Sequence, residues 1–270
     1  MTPSTAVGRI ARVCWLPFAL ALVNACGTAP RPSPAVQASA MRMNAPTTER
    51  PGLGTSWGES LDAPISFVPF SRASSAPWAE VALHYNDAGG VCAHADLLGS
   101  QAEPLEVPAG DGALSVALVD DAGRTLPGYY ARGRALIVGE HGTRYTIVVR
   151  NDTPARFEVV ASVDGLDVID GRPADPNRRG YLVEPYARLV IEGFRTSDDA
   201  VAAFRFGRVA ESYAAQVAGD RNVGIIGLAV FAERGAEPRA EHGAEWSRGE
   251  LERRDTADPF PARGYAIPPH

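Results

Sequence analysis

The chain has 270 residues, and 45% of them are hydrophobic, so it is long and apolar enough to bury a substantial core. Acidic residues outnumber basic residues, which gives a formal net charge of -6, and every basic residue is an arginine. Phosphate recognition needs a concentrated basic surface, and none is evident in the sequence, so nucleic-acid binding is disfavoured. The composition indicates no catalytic activity, and we expect no cofactor.

Residues 1–25 have the order of an export signal. Arg9 and Arg12 precede an apolar run over residues 13–23, and small residues follow it. The run is too short to span a bilayer as a helix, and Pro17 interrupts it. We therefore expect a cleaved signal peptide.

The end of this segment, Leu22-Val23-Asn24-Ala25-Cys26, resembles the lipobox of bacterial lipoproteins, in which a peptidase cuts before a lipidated cysteine. The resemblance implies that Cys26 carries acyl chains that hold the protein on a membrane. Gly27 resembles the pattern of proteins sent to the outer membrane of Gram-negative bacteria. Asn24 is bulkier and more polar than the motif usually has, so ordinary cleavage and secretion stay open.

The rest of the chain divides by composition. Residues 26–52 hold the cysteine and a segment rich in Pro, Ala, Ser and Thr that is predicted to be a disordered tether. Residues 53–139 and 140–234 are predicted to be β regions, forming one sandwich or two lobes that meet near residues 139–142. Residues 235–270 are expected to form a polar tail.

Short runs of alternating apolar and polar residues dominate from Ile65 onward, separated by Gly, Pro, Asn and Asp. Residues 157–163 alternate most clearly, and residues 223–231 are apolar on both faces, which is typical of a central strand. Helical patterns occur only at residues 209–217 and 241–254. The fold class predicted is all-β, an antiparallel β-sandwich. Further strands are predicted at residues 80–85, 114–119, 134–138, 143–149, 188–192 and 204–206.

Gly54-Thr55-Ser56-Trp57-Gly58 formally matches the G-x-S-x-G motif of serine hydrolases. That motif works where a strand runs into a sharp turn and a helix, because the serine is then exposed beside an oxyanion hole. The flanking residues predict neither element. We therefore expect a loop anchored by Trp57, with a hydrolase that uses Ser56 as the less favoured alternative.

A metal site is a second possibility, formed by His84, Asp87, Cys92 and His94. On an extended chain Cys92 and His94 point the same way, and a turn at Gly89-Gly90 could bring them towards His84 or Asp87. Imidazole, thiolate and carboxylate groups suit zinc or copper. The spacing matches no compact metal motif, so a turn with ordinary surface histidines is the favoured interpretation. Cys14 lies in the signal, so Cys92 has no partner for an intrachain disulfide once Cys26 is lipidated.

Ser162 to Gly171 reads SVDGLDVIDG and contains three aspartates. Asp164-Gly165 predicts a type I′ turn, in which Val163 pairs with Leu166 and Ser162 with Asp167. In that register Asp164 caps the turn, Asp167 faces outward and Asp170 lies at the end of the strand. The three acids diverge, so a calcium site is the weaker alternative, with Asp175 or Asn177 joining Asp170.

Several short motifs stand out along the chain, at residues 54–59, 85–87, 163–166, 180–181, 193–195, 212–213 and 224–227. Together they resemble a family of uncharacterised exported bacterial β-rich proteins. No activity is attached to that family, so the resemblance implies no catalytic residue. Tyr181 and Arg195 are the candidates for partner binding, because aromatic and arginine side chains often anchor interfaces.

These observations predict an exported, lipid-anchored protein of the bacterial cell envelope that acts as a binding or structural module. The expected partners are the membrane, through the lipid anchor, and an envelope protein or a glycan. The alternatives are the metal-binding protein and the hydrolase described above.

Overall fold

The computed structural model describes residues 49–95, 101–236 and 238, all within one compact unit. The predicted signal, Cys26, most of the tether and nearly all of the polar tail lie outside these residues. The predicted helix at residues 241–254 lies outside them too. Within the described residues, no helix is long and apolar enough to cross a membrane.

The described part of the chain is built mostly from short strands, with little helix. In chain order the elements are β1 (Leu53–Asp62), β2 (Ala79–Asn86), α1 (Ala88–Ala95), β3 (Glu103–Pro104), β4 (Glu106–Ala109), β5 (Leu114–Val119), β6 (Pro127–Ala131), β7 (Arg134–Val138), β8 (Arg144–Asn151), β9 (Phe157–Val163), β10 (Leu166–Asp167), β11 (Tyr181–Val183), β12 (Arg188–Ile191), β13 (Gly193–Arg195), β14 (Ala200–Arg208), a 3-10 turn (Val209–Glu211), α2 (Tyr213–Val217) and β15 (Ile225–Ala232).

The strands form two sheets that pack together as a β-sandwich. In the first sheet the order is β1-β14-β8-β5-β4, with β12 paired to β8 and β13 to β14. In the second sheet the order is β10-β9-β15-β2-β7-β6-β3, with β11 paired to β9. Each sheet takes strands from both residues 53–139 and residues 140–234. The predicted fold class is confirmed, and β15 lies between β9 and β2 as its apolar pattern predicts.

The inward faces of both sheets meet in one large hydrophobic core. On β8, the predicted inward residues Tyr145, Ile147 and Val149 are fully buried. Aromatic rings fill much of this core, with Tyr145 and Phe206 stacked at 4.4 Å between centroids. Burying each such side chain contributes roughly 1.5–3 kcal/mol, so the alternation of the sequence directly builds the sandwich.

The hairpin of β9 and β10 has the predicted register, with Val163 opposite Leu166 and Ser162 opposite Asp167. Both turn residues have positive φ, +55° at Asp164 and +82° at Gly165, as a type I′ turn requires. The predicted outward orientation of Asp167 is wrong, because its side chain is buried. β10 has only two residues, so the alternation ends there, and Asp167 Oδ1 accepts hydrogen bonds from the backbone N–H groups of the next turn.

Two further expectations are wrong. Residues 53–62 form strand β1 rather than a loop, because β14 offers a full antiparallel edge for pairing. The segment after Asp87 is helix α1 rather than an extended chain, and the Asp87 carboxylate begins it by accepting from the Gly90 N–H at 2.7 Å. The second sheet also contains a parallel pair, β2 with β7.

The predicted helical pattern over residues 209–217 is divided between the 3-10 turn and α2. Ser212 caps α2, with its Oγ accepting from the Ala215 N–H at 3.2 Å. This short helical segment packs against β1 and comes so close to Gly54 that the position has no room for a side chain. A Cβ atom there would lie 2.6 Å from both Ser212 Cβ and Val223 Cγ1.

Candidate functional site

A buried group of hydrogen-bonded side chains joins the two sheets. Asp164 Oδ2 accepts from the Thr55 backbone N–H at 2.8 Å, and its Oδ1 accepts from the Tyr85 hydroxyl at 2.5 Å and the Gly224 N–H at 2.9 Å. Thr55 Oγ1 lies 2.8 Å from Tyr85 Oη and 2.6 Å from Tyr145 Oη. Thr55 and Tyr145 belong to the first sheet, and Tyr85 and Asp164 to the second. We call these four side chains the Asp164 network.

Burial dominates the electrostatics of the Asp164 network. It raises the pKa of Asp164 to about 6, although the hydrogen bonds from Tyr85, Thr55 and Gly224 act in the opposite direction. Burial, and then the charge of Asp164, raise the pKa values of Tyr85 and Tyr145 well above the ordinary range. A raised carboxyl pKa also occurs in catalytic acids. Here no side chain of the network is more than 3% exposed, so the arrangement suits a structural role better than contact with a substrate.

The G-x-S-x-G match lies inside strand β1, where Ser56 pairs with Arg205 of β14. The chain continues as a strand after Ser56, so the sharp turn and the following helix of a nucleophile elbow are absent at this position. Trp57 instead packs at 4.8 Å from Tyr213 and 6.1 Å from Phe194, measured between ring centroids. The motif therefore positions Thr55 in the Asp164 network and an aromatic cluster beside it.

The four candidate metal ligands lie on two elements. His84 is on β2, Asp87 caps α1, and Cys92 and His94 are two residues apart on that helix, which turns them to different sides. His84 and His94 line one cavity of about 140 Å³. Burial lowers the pKa of His84, and Arg134 and His94 lower it further. Across the residues that the structure describes, no group of three or more His, Cys, Asp or Glu side chains could hold a metal ion.

The acids of the SVDGLDVIDG segment diverge, as the predicted register implies. Asp164 points into the network, Asp167 bonds the turn after β10, and Asp170 forms an ion pair with Arg178. Asp175 accepts from the Asn177 backbone N–H at 2.8 Å and does not join them. Asp164 therefore bonds to other parts of the sandwich, whereas Asp167, Asp170 and Asp175 have structural partners within the hairpin or the loop that follows.

Residues 63–71, which we call the strap, are the first part of the connection between β1 and β2 and have no regular secondary structure. Backbone hydrogen bonds hold both ends: the Ala63 N–H donates to Asp199 O at 2.8 Å, and the Arg234 N–H donates to Ser71 O at 2.7 Å. The middle of the strap points large apolar side chains outward, with Phe67 64% and Val68 51% exposed. Neighbouring exposed apolar residues of this size mark interaction sites more often than isolated ones do.

A cavity of about 480 Å³ lies between the strap and strand β11, and we call it the strap cavity. Its volume falls within the range of ligand pockets in proteins. Apolar side chains form most of its wall, and Glu158, Arg179 and Glu184 contribute charge. The lining residues are Ile65, Ser66, Phe67, Val68, Phe70, Glu158, Ile169, Arg179, Gly180, Tyr181, Leu182 and Glu184.

The two predicted partner-binding residues lie at this cavity, but they contribute differently. Tyr181 lines it directly. Arg195 Nε donates to Tyr181 Oη at 2.9 Å, and Arg195 Nη1 donates to Ala63 O at 2.9 Å and Ser197 O at 3.0 Å. Arg195 therefore holds the strap and the tyrosine in place, while Tyr181 is positioned to touch a ligand.

A second cavity, of about 460 Å³, lies on the outward face of the second sheet. Small side chains form its floor, including Ala82, Gly227 and Ala229, with Glu80 and Asp175 at its border. No large exposed apolar side chain lines this cavity, in contrast to the strap cavity. The strap cavity is therefore the better candidate site.

The strap was not predicted from the sequence to be part of a site. The available signal was Phe67-Val68-Pro69-Phe70, in which three large apolar residues surround a proline and break the alternation of a strand. Its position beside Tyr181 depends on contacts between residues more than 100 positions apart, which no local pattern encodes. The geometry of the cavity is the basis for a functional assignment, because no family model, curated protein or solved structure matches the chain.

Proposed function

We propose that this chain is an exported, lipid-anchored binding module of the bacterial cell envelope, and that the strap cavity is its ligand-binding site. The observation that carries the proposal is the exposure of Phe67 and Val68 beside a cavity of ligand-binding size. An apolar cavity wall with a few polar groups is the usual composition of a binding pocket.

The proposed location depends on the sequence of the first residues. The charged, apolar and small-residue order over residues 1–25 and the lipobox-like residues before Cys26 support export and anchoring. A composition that disfavours a folded structure over residues 28–52 supports a tether between the membrane and the sandwich. The binding site would then face the periplasm or the cell surface.

Photo-crosslinking in intact cells tests the proposed site. With p-benzoylphenylalanine at position 67, we expect one or a few discrete adducts with an envelope component after irradiation. The matched control is the same residue at Val190, which is 52% exposed on β12 of the other sheet. Adducts of equal yield and pattern at both positions, or none at position 67, would contradict the assignment of the strap cavity.

Metabolic labelling with a palmitate analogue tests the anchor. We expect the label to enter the wild-type chain and to be lost in the Cys26→Ala variant, which then leaves the membrane fraction or stays unprocessed. Cys92→Ala is the control and keeps the label. Label that persists in Cys26→Ala would remove the lipid anchor from the proposal while leaving the binding site open to test.

A further inference from the structure

The strap cavity has an extensive apolar wall. Ile65, Phe67 and Val68 come from the strap, Leu182 comes from β11, and Ile169 comes from the turn after β10. None of the three strap side chains belongs to the main core, so their apolar surface stays available to a ligand. A ligand that fills this space must therefore present apolar groups of its own.

The negative charges at the cavity are already bound within the protein. Glu158 is buried, and its two carboxylate oxygens accept from Arg72 Nε at 2.6 Å and from the Gly180 N–H at 2.7 Å. Glu184 Oε1 lies 3.8 Å from Arg156 Nη1. A ligand gains little from either carboxylate, because bonding to one would compete with an existing partner.

Within the described part of the chain, the positive charge at the cavity has no such partner. The Arg179 guanidinium lies over the Phe67 ring at 5.2 Å from its centroid. Among the described residues no carboxylate forms an ion pair with it. Stacking on an aromatic ring holds the guanidinium plane while leaving its N–H donors free, which favours bidentate binding of a carboxylate.

Tyr181 adds a second donor beside this cation. Its hydroxyl oxygen accepts from Arg195, so the hydroxyl hydrogen can be donated to a ligand. The cavity therefore combines an apolar wall with two lining residues, Arg179 and Tyr181, that can each donate to an anionic group. A neutral sugar needs several free polar groups, acceptors included, to replace its bonds to water, and the two carboxylates here, Glu158 and Glu184, are already paired, so a glycan fits less well.

Resting on the proposed function, we propose that the strap cavity binds a peptide segment of a protein partner in which an acidic residue lies next to large apolar residues. The apolar side chains fill the space between the strap and β11. The carboxylate bonds to Arg179, and Tyr181 donates to the same group.

Fluorescence anisotropy tests this ligand class with the mature chain purified in detergent. The probe is a labelled, C-terminally amidated hexapeptide with Phe-Leu-Asp at its centre, and its matched peptide has Asn in place of Asp. We expect the acidic peptide to bind about 10- to 100-fold more tightly, which corresponds to one charged hydrogen-bonded pair. Equal affinity of the two peptides would overturn the proposal.

Two arginine variants test whether the preference for the acidic peptide depends on Arg179. Arg179→Gln should reduce the affinity for the acidic peptide to that for the amide peptide and leave the amide peptide unchanged. Arg172→Gln is the control, because Arg172 is an exposed arginine of the same loop that does not line the cavity. An unchanged thermal midpoint shows that both variants are folded. If Arg179→Gln binds the acidic peptide as tightly as the wild type does, the proposal is wrong.

The same assay separates a peptide carboxylate from a lipid headgroup. Mixed micelles with phosphatidylglycerol should displace the acidic peptide no better than micelles with phosphatidylcholine. Displacement by phosphatidylglycerol alone, with no difference between the two peptides, would assign the anion to a lipid and overturn the peptide proposal. In that case a discrete adduct at position 67 would still support the binding function, whereas its absence would remove the function as well.

Discussion

The Asp164 network and the strap cavity use similar side chains for opposite purposes. Each combines aromatic rings with a charged group at the sandwich. In the network the charge of Asp164 is buried, and the described N–H and hydroxyl donors around it bond to it directly. In the strap cavity Phe67 is exposed, and Arg179 has no carboxylate partner among the described residues. Satisfied polar groups in the interior fix the fold, whereas unsatisfied ones at the surface are available to a partner.

The network is expected to respond most strongly to mutation. Asp164→Ala leaves the N–H groups of Thr55 and Gly224 and the Tyr85 hydroxyl without their acceptor, inside the protein. It also places alanine at φ +55°, which is unfavourable. We expect the free energy of unfolding to fall by about 3 kcal/mol or more, measured by urea denaturation.

Asp198→Ala is the control for removing an aspartate, because Asp198 is exposed in the turn between β13 and β14. It should unfold at nearly the wild-type urea concentration. If the two variants lost similar stability, the Asp164 carboxylate would not be the acceptor that joins the sheets, and the contrast with the strap cavity would disappear.

Removing the hydroxyl of Tyr85 should destabilise the protein more than removing the hydroxyl of Tyr145. Tyr85 donates to the charged Asp164, whereas the Tyr145 hydroxyl contacts Thr55 Oγ1. Tyr85→Phe should therefore cost about 1.5–3 kcal/mol and Tyr145→Phe about 0.5–1.5 kcal/mol, the ranges for charged and neutral hydrogen bonds. Both changes keep the ring and its packing, so urea denaturation isolates the hydroxyl. The reverse order would show that Thr55, rather than Asp164, dominates the network.

Acidity should stabilise the network region. Asp164 has a folded-state pKa of about 6 against an ordinary value of 3.8, so the folded state binds its proton more tightly. This group therefore adds stability as the pH falls through 6, by about 1.4 kcal/mol between pH 7.5 and pH 5. His84 acts in the opposite direction, because its folded-state pKa is lowered.

The comparison of wild type with Asp164→Asn isolates the carboxyl, since both keep His84. We expect the free energy of unfolding of the wild type to rise relative to that of Asp164→Asn as the pH falls from 7.5 to 5. The difference in free energy of unfolding between the two proteins should stay constant if the pKa of the Asp164 carboxyl is near its ordinary value. Urea unfolding at both pH values measures this difference.

The two regions also differ in what their sequence reveals. The alternation of β8 and β9 predicts their buried faces, and Asp164-Gly165 predicts the hairpin register, because both signals are local. The burial of Asp164 was missed, since its partner Thr55 lies 109 residues away and Tyr85 lies 79 residues away. The strap was missed for the same reason. Helix α1 was missed because its two glycines favour a turn, whereas the Asp87 cap and the packing of Val91 on Leu136 favour a helix.

The smallest expected change in stability is at the strap. Phe67→Ser removes a side chain that is 64% exposed, so the free energy of unfolding should change by less than about 0.5 kcal/mol, while the crosslinks and the affinity for the acidic peptide are lost. Phe157→Ala in the core should cost about 3–5 kcal/mol in the same urea assay. If Phe67→Ser destabilised the protein as Phe157→Ala does, Phe67 would be a core residue in solution. Its exposed surface could then not serve as a binding wall, because a side chain that holds the fold together cannot also be open to a partner.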